Sequence, residues 1–544
     1  MQTRLRILIA TAAAGGVIGV GGCDRVWGVH EATLYVPDAG QGGNGGAGGT
    51  TSSGGAGGGT ACTPDTVQPC YSGPAGTENV GVCTSGLALC KSDGSGFGEC
   101  IGQVTPQTET CANPDDEDCS GYDCVQWAQL FGGVEFQGAS SVALDAMGNM
   151  LIAGTFAGAI PLPGKTLTAA GAPDIFVLKL DPTGKVIWGK SFGAPGVAGR
   201  VRAVATDATG AATLYGDVSG SMSFGGAPLA GPCIYVAKIS DNGDVLWSKG
   251  FGSNAGGKAL AVTPAGDIVI GGSFQSSDID FGTGVFHNGT FNPNAFIAEL
   301  SGIDGAAIWS RAPCSDGTSA CEVGNLAIDL NGTLHMAGTF SGSIQPGSAP
   351  KLTALGSQDV ILAQIALDGT VVRQKQIGGA QSSVSLAALA ADAAGNALVA
   401  GSLYGTVDLG DGDVSSTNGA DFVVQYAPNH SFGWVHLGHG VKPGVAAADQ
   451  DGNFVIAANP SGSFDFAEVA FTSPGDVFVA KLSGSGALAW SKRYNTGGSV
   501  LGLAVSPQGE SLLVGTTGNA SVDFGTGTLV TAGGNDAFVV KLSP

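Results

Sequence analysis

A unit of roughly sixty residues recurs along most of this chain, and a chain built that way folds as a stack of like parts. One glycine marks the copies: Gly154, Gly216, Gly272, Gly338, Gly401 and Gly515, with Ala458 in its place in the sixth copy. The intervals are 62, 56, 66, 63, 57 and 57 residues. Each copy opens with an apolar strand and a D-x-x-G turn. A second strand ends in A-G-T/S-F, a Gly-rich connection follows, and a third strand reads D-x-F-V-x-K-L. A last strand carries a tryptophan and closes on F-G. The first copy shows all of it, as VALDAMGNMLIAGTF and then DIFVLKLDPTGKVIWGKSFG. The tryptophan returns as Trp188, Trp247, Trp309, Trp434 and Trp490, with Arg373 near its place in the fourth copy.

Four short strands make a small twisted sheet that cannot bury both faces alone. Sheets stacked around an axis bury one another. Charged residues at 12% and 94 glycines among 544 residues suit many short strands and tight turns. The seventh copy ends at DAFVVKLSP, before its Trp strand. The missing piece stands at the other end of the repeats, as VQWAQLFG over 125–132. The pattern therefore predicts an all-β fold, a seven-bladed β-propeller with four-stranded blades over 125–544. Its ring is closed by an N-terminal strand in which Trp127 lies against Leu503–Leu542, so that no sheet edge is left open. The recurrent tryptophans read as packing between neighbouring blades.

These repeats resemble the bacterial seven-bladed β-propeller repeat family, surface lipoproteins with an N-terminal Cys-rich module. That resemblance implies a fold and an extracellular address, and no catalytic residues. The start of the chain agrees with it. Arg4 and Arg6 precede an apolar stretch too short to span a bilayer comfortably, which ends in Val20-Gly21-Gly22-Cys23. This resembles a lipobox, which implies a signal peptide over 1–22 and acylation of Cys23. The membrane is then a partner through a lipid anchor. Asp24 resembles a retention signal of some inner membranes. The outer membrane or cell surface is favoured, and the leaflet stays open. Residues 23–60 form a lipidated, Gly-rich tether.

Residues 61–124 form a disulfide-rich acidic module, with ten acidic residues against one lysine. Its cysteines are Cys62, Cys70, Cys83, Cys90, Cys100, Cys111, Cys119 and Cys124. An even number in an exported stretch implies a disulfide framework, and the 105 pairings stay open. Zinc fits less well, because the module has no tight CxxC pair and no histidine. Cys314 and Cys321 are close enough for a local disulfide, and Cys233 reads as a buried thiol.

The stretch NPDDEDCSGYDC over 113–124 resembles D-x-D-C-x-G-x-D loops proposed to bind metal. The resemblance implies calcium on Asp115, Asp116, Asp118 and Asp123, against the alternative of a solvated acidic loop. No other cofactor is implied. The D-x-x-G aspartates Asp145, Asp207, Asp329, Asp392 and Asp449 read instead as caps of their own turns. His436 and His439 fall on opposite faces of a strand and cannot jointly hold a metal there.

A net charge of −22 repels phosphate backbones and argues against nucleic acid. H-E-x-x-H is absent, and no catalytic residue is assigned. The expected role is display of a propeller for protein or glycan binding, or a structural role. The alternative is an envelope glycosidase, lyase or quinone-dependent oxidoreductase on the same scaffold. The insertions Phe281–Asn294 and Ala312–Val323 are where a pocket is expected. Their nearly uncharged composition favours binding.

Overall fold

The computed structural model describes residues 62–544, apart from 112, 114, 120, 122, 123, 172, 315–318, 442, 461, 462, 468 and 472–475. The expected signal peptide, Cys23, the tether and Asp123 lie outside the described residues. Among the described residues the regular elements are all strands.

Each repeat copy forms a four-stranded antiparallel sheet, and among the described residues there are seven such sheets. The first is Gln137–Leu144, Met150–Phe156, Asp174–Leu180 and Val186–Phe192, in that order. Its third strand is buried at all seven positions and its fourth is mostly half-exposed. The inner strands are therefore largely apolar, with Asp174 and Lys179 buried among them, because each sheet is covered on both faces. Leu151 and Val177 of the first sheet share a core with Val201, Leu214 and Tyr235 of the second. Leu512, Val514 and Val539 of the seventh share one with Ile152, Phe176 and Leu178 of the first. This is a propeller-type repeat fold.

The last sheet contains Ser499–Val505, Ser511–Thr517, Asp536–Leu542 and, as its fourth strand, Val125–Phe131. Trp127 pairs with Lys541 and Leu130 with Phe538.

The marker glycine has a steric cause. Every first strand carries a β-bulge, and the marker sits opposite it. The bulge drives a first-strand carbonyl toward the second strand. A Cβ on Gly154, Gly216, Gly272, Gly338, Gly401 or Gly515 would collide with the carbonyl oxygen of Gly138, Arg200, Gly256, Glu322, Ser385 or Ser499 respectively. In the sixth sheet the first strand begins at Pro443, the residue opposite Ala458. Pro443–Ala458 is the first ladder pair of that sheet among the described residues, and Ala458 is buried there.

The Gly-rich connections between second and third strands hold more structure than their composition suggests. Five of them fold as two-stranded hairpins, such as Ala159–Leu162 with Lys165–Thr168. Their apolar residues cap the sheets: Phe281 packs on Phe296 and Phe251, and Phe524 on Phe538 and Tyr494.

The tryptophans join neighbouring sheets, but mostly from half-buried positions. Each indole N–H donates to a carbonyl in the turn between third and fourth strands of the next sheet. The pairs are Trp127 to Pro182 (3.3 Å), Trp188 to Asp241 (2.9 Å), Trp247 to Gly302 (3.3 Å), Trp309 to Leu367 (3.0 Å) and Trp434 to Gly484 (3.1 Å). The fourth sheet lacks the tryptophan, and Gln364 Nε2 reaches Pro428 instead, at 2.9 Å. Trp490 is the exception: its Nε1 is buried without a partner. The turn it would reach does not exist, because the last sheet takes its third and fourth strands from opposite ends of the repeat region. Trp490 instead packs in a core with Cys111, Cys124 and Leu542. Trp188→Phe is therefore expected to cost about 1 kcal/mol, the net worth of one hydrogen bond. Trp490→Phe removes no bond and should cost less. Urea unfolding of both variants checks this, and equal losses would refute it.

The Cys-rich segment carries a three-stranded sheet, Val67–Cys70, Gly86–Cys90 and Phe97–Ile101. The disulfides are Cys62–Cys90, Cys70–Cys100, Cys83–Cys119 and Cys111–Cys124, with Cys314–Cys321 farther along. Cys233 is a buried free thiol, and burial pushes its pKa up. The described residues fall in one compact unit. The Ser543 N–H donates to the Cys124 carbonyl (2.8 Å), and the Cys111 sulfur lies 3.4 Å from the Ser543 carbonyl oxygen.

Candidate functional site

The D-x-x-G turns cap themselves as expected. Asp145 Oδ1 accepts the N–H groups of Met147 (2.9 Å) and Asn149 (2.8 Å), and its Oδ2 accepts Asn149 Nδ2 (2.9 Å). Asp392 and Asp449 repeat the pattern. What the motif did not reveal is the partner. The lysine of D-x-F-V-x-K-L is buried beneath these turns and pairs with them. Lys179 lies 2.8 Å from Asp145, Lys238 2.6 Å from Asp207 and Lys481 3.2 Å from Asp449. Burial alone would raise the pKa values of these aspartates. The hydrogen bonds and the lysines outweigh it and hold all three below the ordinary range. Lys179 also meets Asp241 of the next sheet. In the fourth sheet a buried His335 takes the lysine's role on Asp329, at 3.2 Å. In the seventh, Lys541 pairs with Glu510 at 2.8 Å.

A cleft of about 680 Å³ opens where the Cys-rich segment meets these turns of the first and last sheets. Glu109 and Asp118 line one wall, Met147 and Pro182 another, and Pro507, Glu510 and Lys541 the third. Gln126 Nε2 donates to Glu510 Oε1 at 3.1 Å, which ties the closing strand to that wall. Met147 is 81% exposed, an apolar side chain held out on a tight turn.

Glu109 is buried at the base of the module wall. Its carboxylate accepts the N–H groups of Asp118 and Cys124, each at 3.2 Å. Burial pushes its pKa up, the two N–H groups pull it down, and the charges of Glu117 and Asp118 push it up again; the net shift is upward. Oxygens of Glu109, Asp116 and Asp118 lie within 4.8 Å of one another. Of the expected metal residues, Asp123 lies outside the described residues. Asp116 and Asp118 come together, but the third member is Glu109. Asp115 is exposed outside the trio, its N–H turned back to Asn113 Oδ1 (2.7 Å). The Asp118–Glu109 bond folds the 107–111 segment against the loop, which brings Glu109 to Asp116 and Asp118. No local motif flags Glu109. An all-carboxylate trio suits a hard divalent cation, although two of the Glu109 bonds already serve the backbone.

The other flagged residues stay apart. His436 Nε2 bonds the Gly486 carbonyl (2.6 Å), and His439 faces Asp465 (3.6 Å). A cavity of about 350 Å³ does lie beside Pro293, Cys321 and Glu322, near the two insertions, but the cleft at the module is larger.

No protein-family model and no curated protein sequence matches the chain. Among solved structures it is similar to BamB from Moraxella catarrhalis, at 12% identity and a TM-score of 0.35, over 76% of this chain and 100% of that one. It is similar to the Neurospora crassa Pan2 WD40 domain at 12% identity and a TM-score of 0.38, over 75% and 89%. Virginiamycin B lyase from Staphylococcus aureus shows 8% identity and a TM-score of 0.39, over 77% and 99%.

Proposed function

We propose that this chain is a lipid-anchored protein of the cell envelope that holds a closed seven-bladed propeller away from the membrane and binds a protein or glycan ligand. Acylated Cys23 is the anchor, residues 23–60 the tether, 61–124 the stapled module and 125–544 the propeller. The seventh sheet packed on the first and the Trp127 strand in the last sheet support the closed ring. The observation that carries the binding reading is the cleft, walled by the module, the first sheet and the last. Calcium held by Glu109, Asp116 and Asp118 would brace its module wall.

Two measurements test the reading. Cys23→Ser should move the protein from the membrane fraction to the soluble fraction; a variant that stays membrane-bound refutes the anchor. Met147→Glu alters an exposed cleft side chain without touching the core. Ligands found on glycan arrays or in envelope-protein overlays should bind it about tenfold more weakly, about 1.4 kcal/mol. Unchanged binding removes the cleft from the reading.

A further inference from the structure

The seven bulges do more than explain a glycine. Each inserts one extra residue into a first strand: Ser140, Arg202, Lys258, Gly324, Ala387, Gly444 or Leu501. A cavity of about 200 Å³ is lined from all seven first strands, and six of these bulge residues border it. Neighbouring strands of the second and third sheets supply Arg202 and Lys258. Gly324 and Gly444 present no side chain, which leaves the space open. In a chain with 22 basic residues against 44 acidic ones, two cations on adjacent first strands of one cavity stand out.

Arg202 and Lys258 are held but not consumed. Arg202 Nε meets Asp217 Oδ1 at 2.7 Å, and Lys258 Nζ meets Glu322 Oε2 at 3.5 Å. The side chains remain 38% and 43% exposed. Pairs of such exposure hold weakly. The Asp217 bond engages one of the five donors of the guanidinium, whose fork matches carboxylate and phosphate oxygens. Ser140, Ser141 and Asn325 add polar groups to the wall.

We propose that this axial cavity binds a small oxyanion, a carboxylate or phosphate group gripped between Arg202 and Lys258. The site is separate from the module cleft and independent of the lipid anchor.

The test is calorimetric titration of the full chain with inorganic phosphate and, separately, succinate, at constant ionic strength. Saturable binding of either supports the site, and which one binds names the headgroup. Arg202→Gln/Lys258→Gln should weaken that binding at least tenfold, while Lys351→Gln, at an exposed lysine outside the cavity, should leave it unchanged. Should the double variant not fold, Lys258→Gln alone carries the same expectation. No saturable binding of either anion, or binding that the cavity variants leave intact, overturns the proposal.

Discussion

A chain that begins at Gly132 is expected to aggregate rather than fold, whereas one that begins at Val125 is expected to fold as a monomer. The seven residues between them are the fourth strand of the last sheet. Without them Asp536–Leu542 becomes an open edge, and the inner face that covers Val125 and Phe131 is exposed to water. Burying a Val or Phe side chain contributes about 1.5–3 kcal/mol each, and the ladder with Asp536–Leu542 is lost besides. That is a large part of the 5–15 kcal/mol that separates a typical folded domain from its unfolded state. The exposed edge also offers a template for intermolecular pairing. Size-exclusion chromatography and urea unfolding decide it. A Gly132 chain with the midpoint of the Val125 chain would mean that the closing strand does not hold the ring.

Gly401→Val is expected to destabilise the protein by about 3 kcal/mol or more, in the upper range for single substitutions. Valine is the better strand former, so propensity alone predicts a gain. The expected loss arises from the Ser385 carbonyl, which the bulge has brought to where the Cβ must go. The contrasting substitution is Ala458→Gly, at the one marker position that already carries a Cβ. It should cost no more than about 1 kcal/mol, the entropic penalty of glycine in a strand. Denaturant midpoints of the two variants measure the difference. A mild Gly401→Val would show that the second strand can retreat from the bulge.

The repeat was legible because its elements are local. Alternation, turn aspartates and the Trp strand each occupy a few consecutive residues. The displaced VQWAQLF segment could be matched to the truncated seventh copy by the same pattern, and it does pair with Lys541 and Phe538. The turn aspartates were legible as caps for the same reason. Their buried lysines were written in every complete motif, yet only the packed sheets show that the lysine lies under the aspartate of its own sheet. The loss of that lysine in the fourth sheet was visible, but the replacement by His335 was not.

Sequence by itself determined the four-stranded sheet of each copy, the split last sheet and the presence of a disulfide framework, since composition and short-range periodicity carry those. Tertiary structure alone decided which cysteines join, that Glu109 rather than Asp115 meets Asp116 and Asp118, and that the marker glycine answers a bulge on another strand. In each of these cases the partners are distant in sequence, or bent out of a regular face, and only the folded backbone brings their atoms within reach.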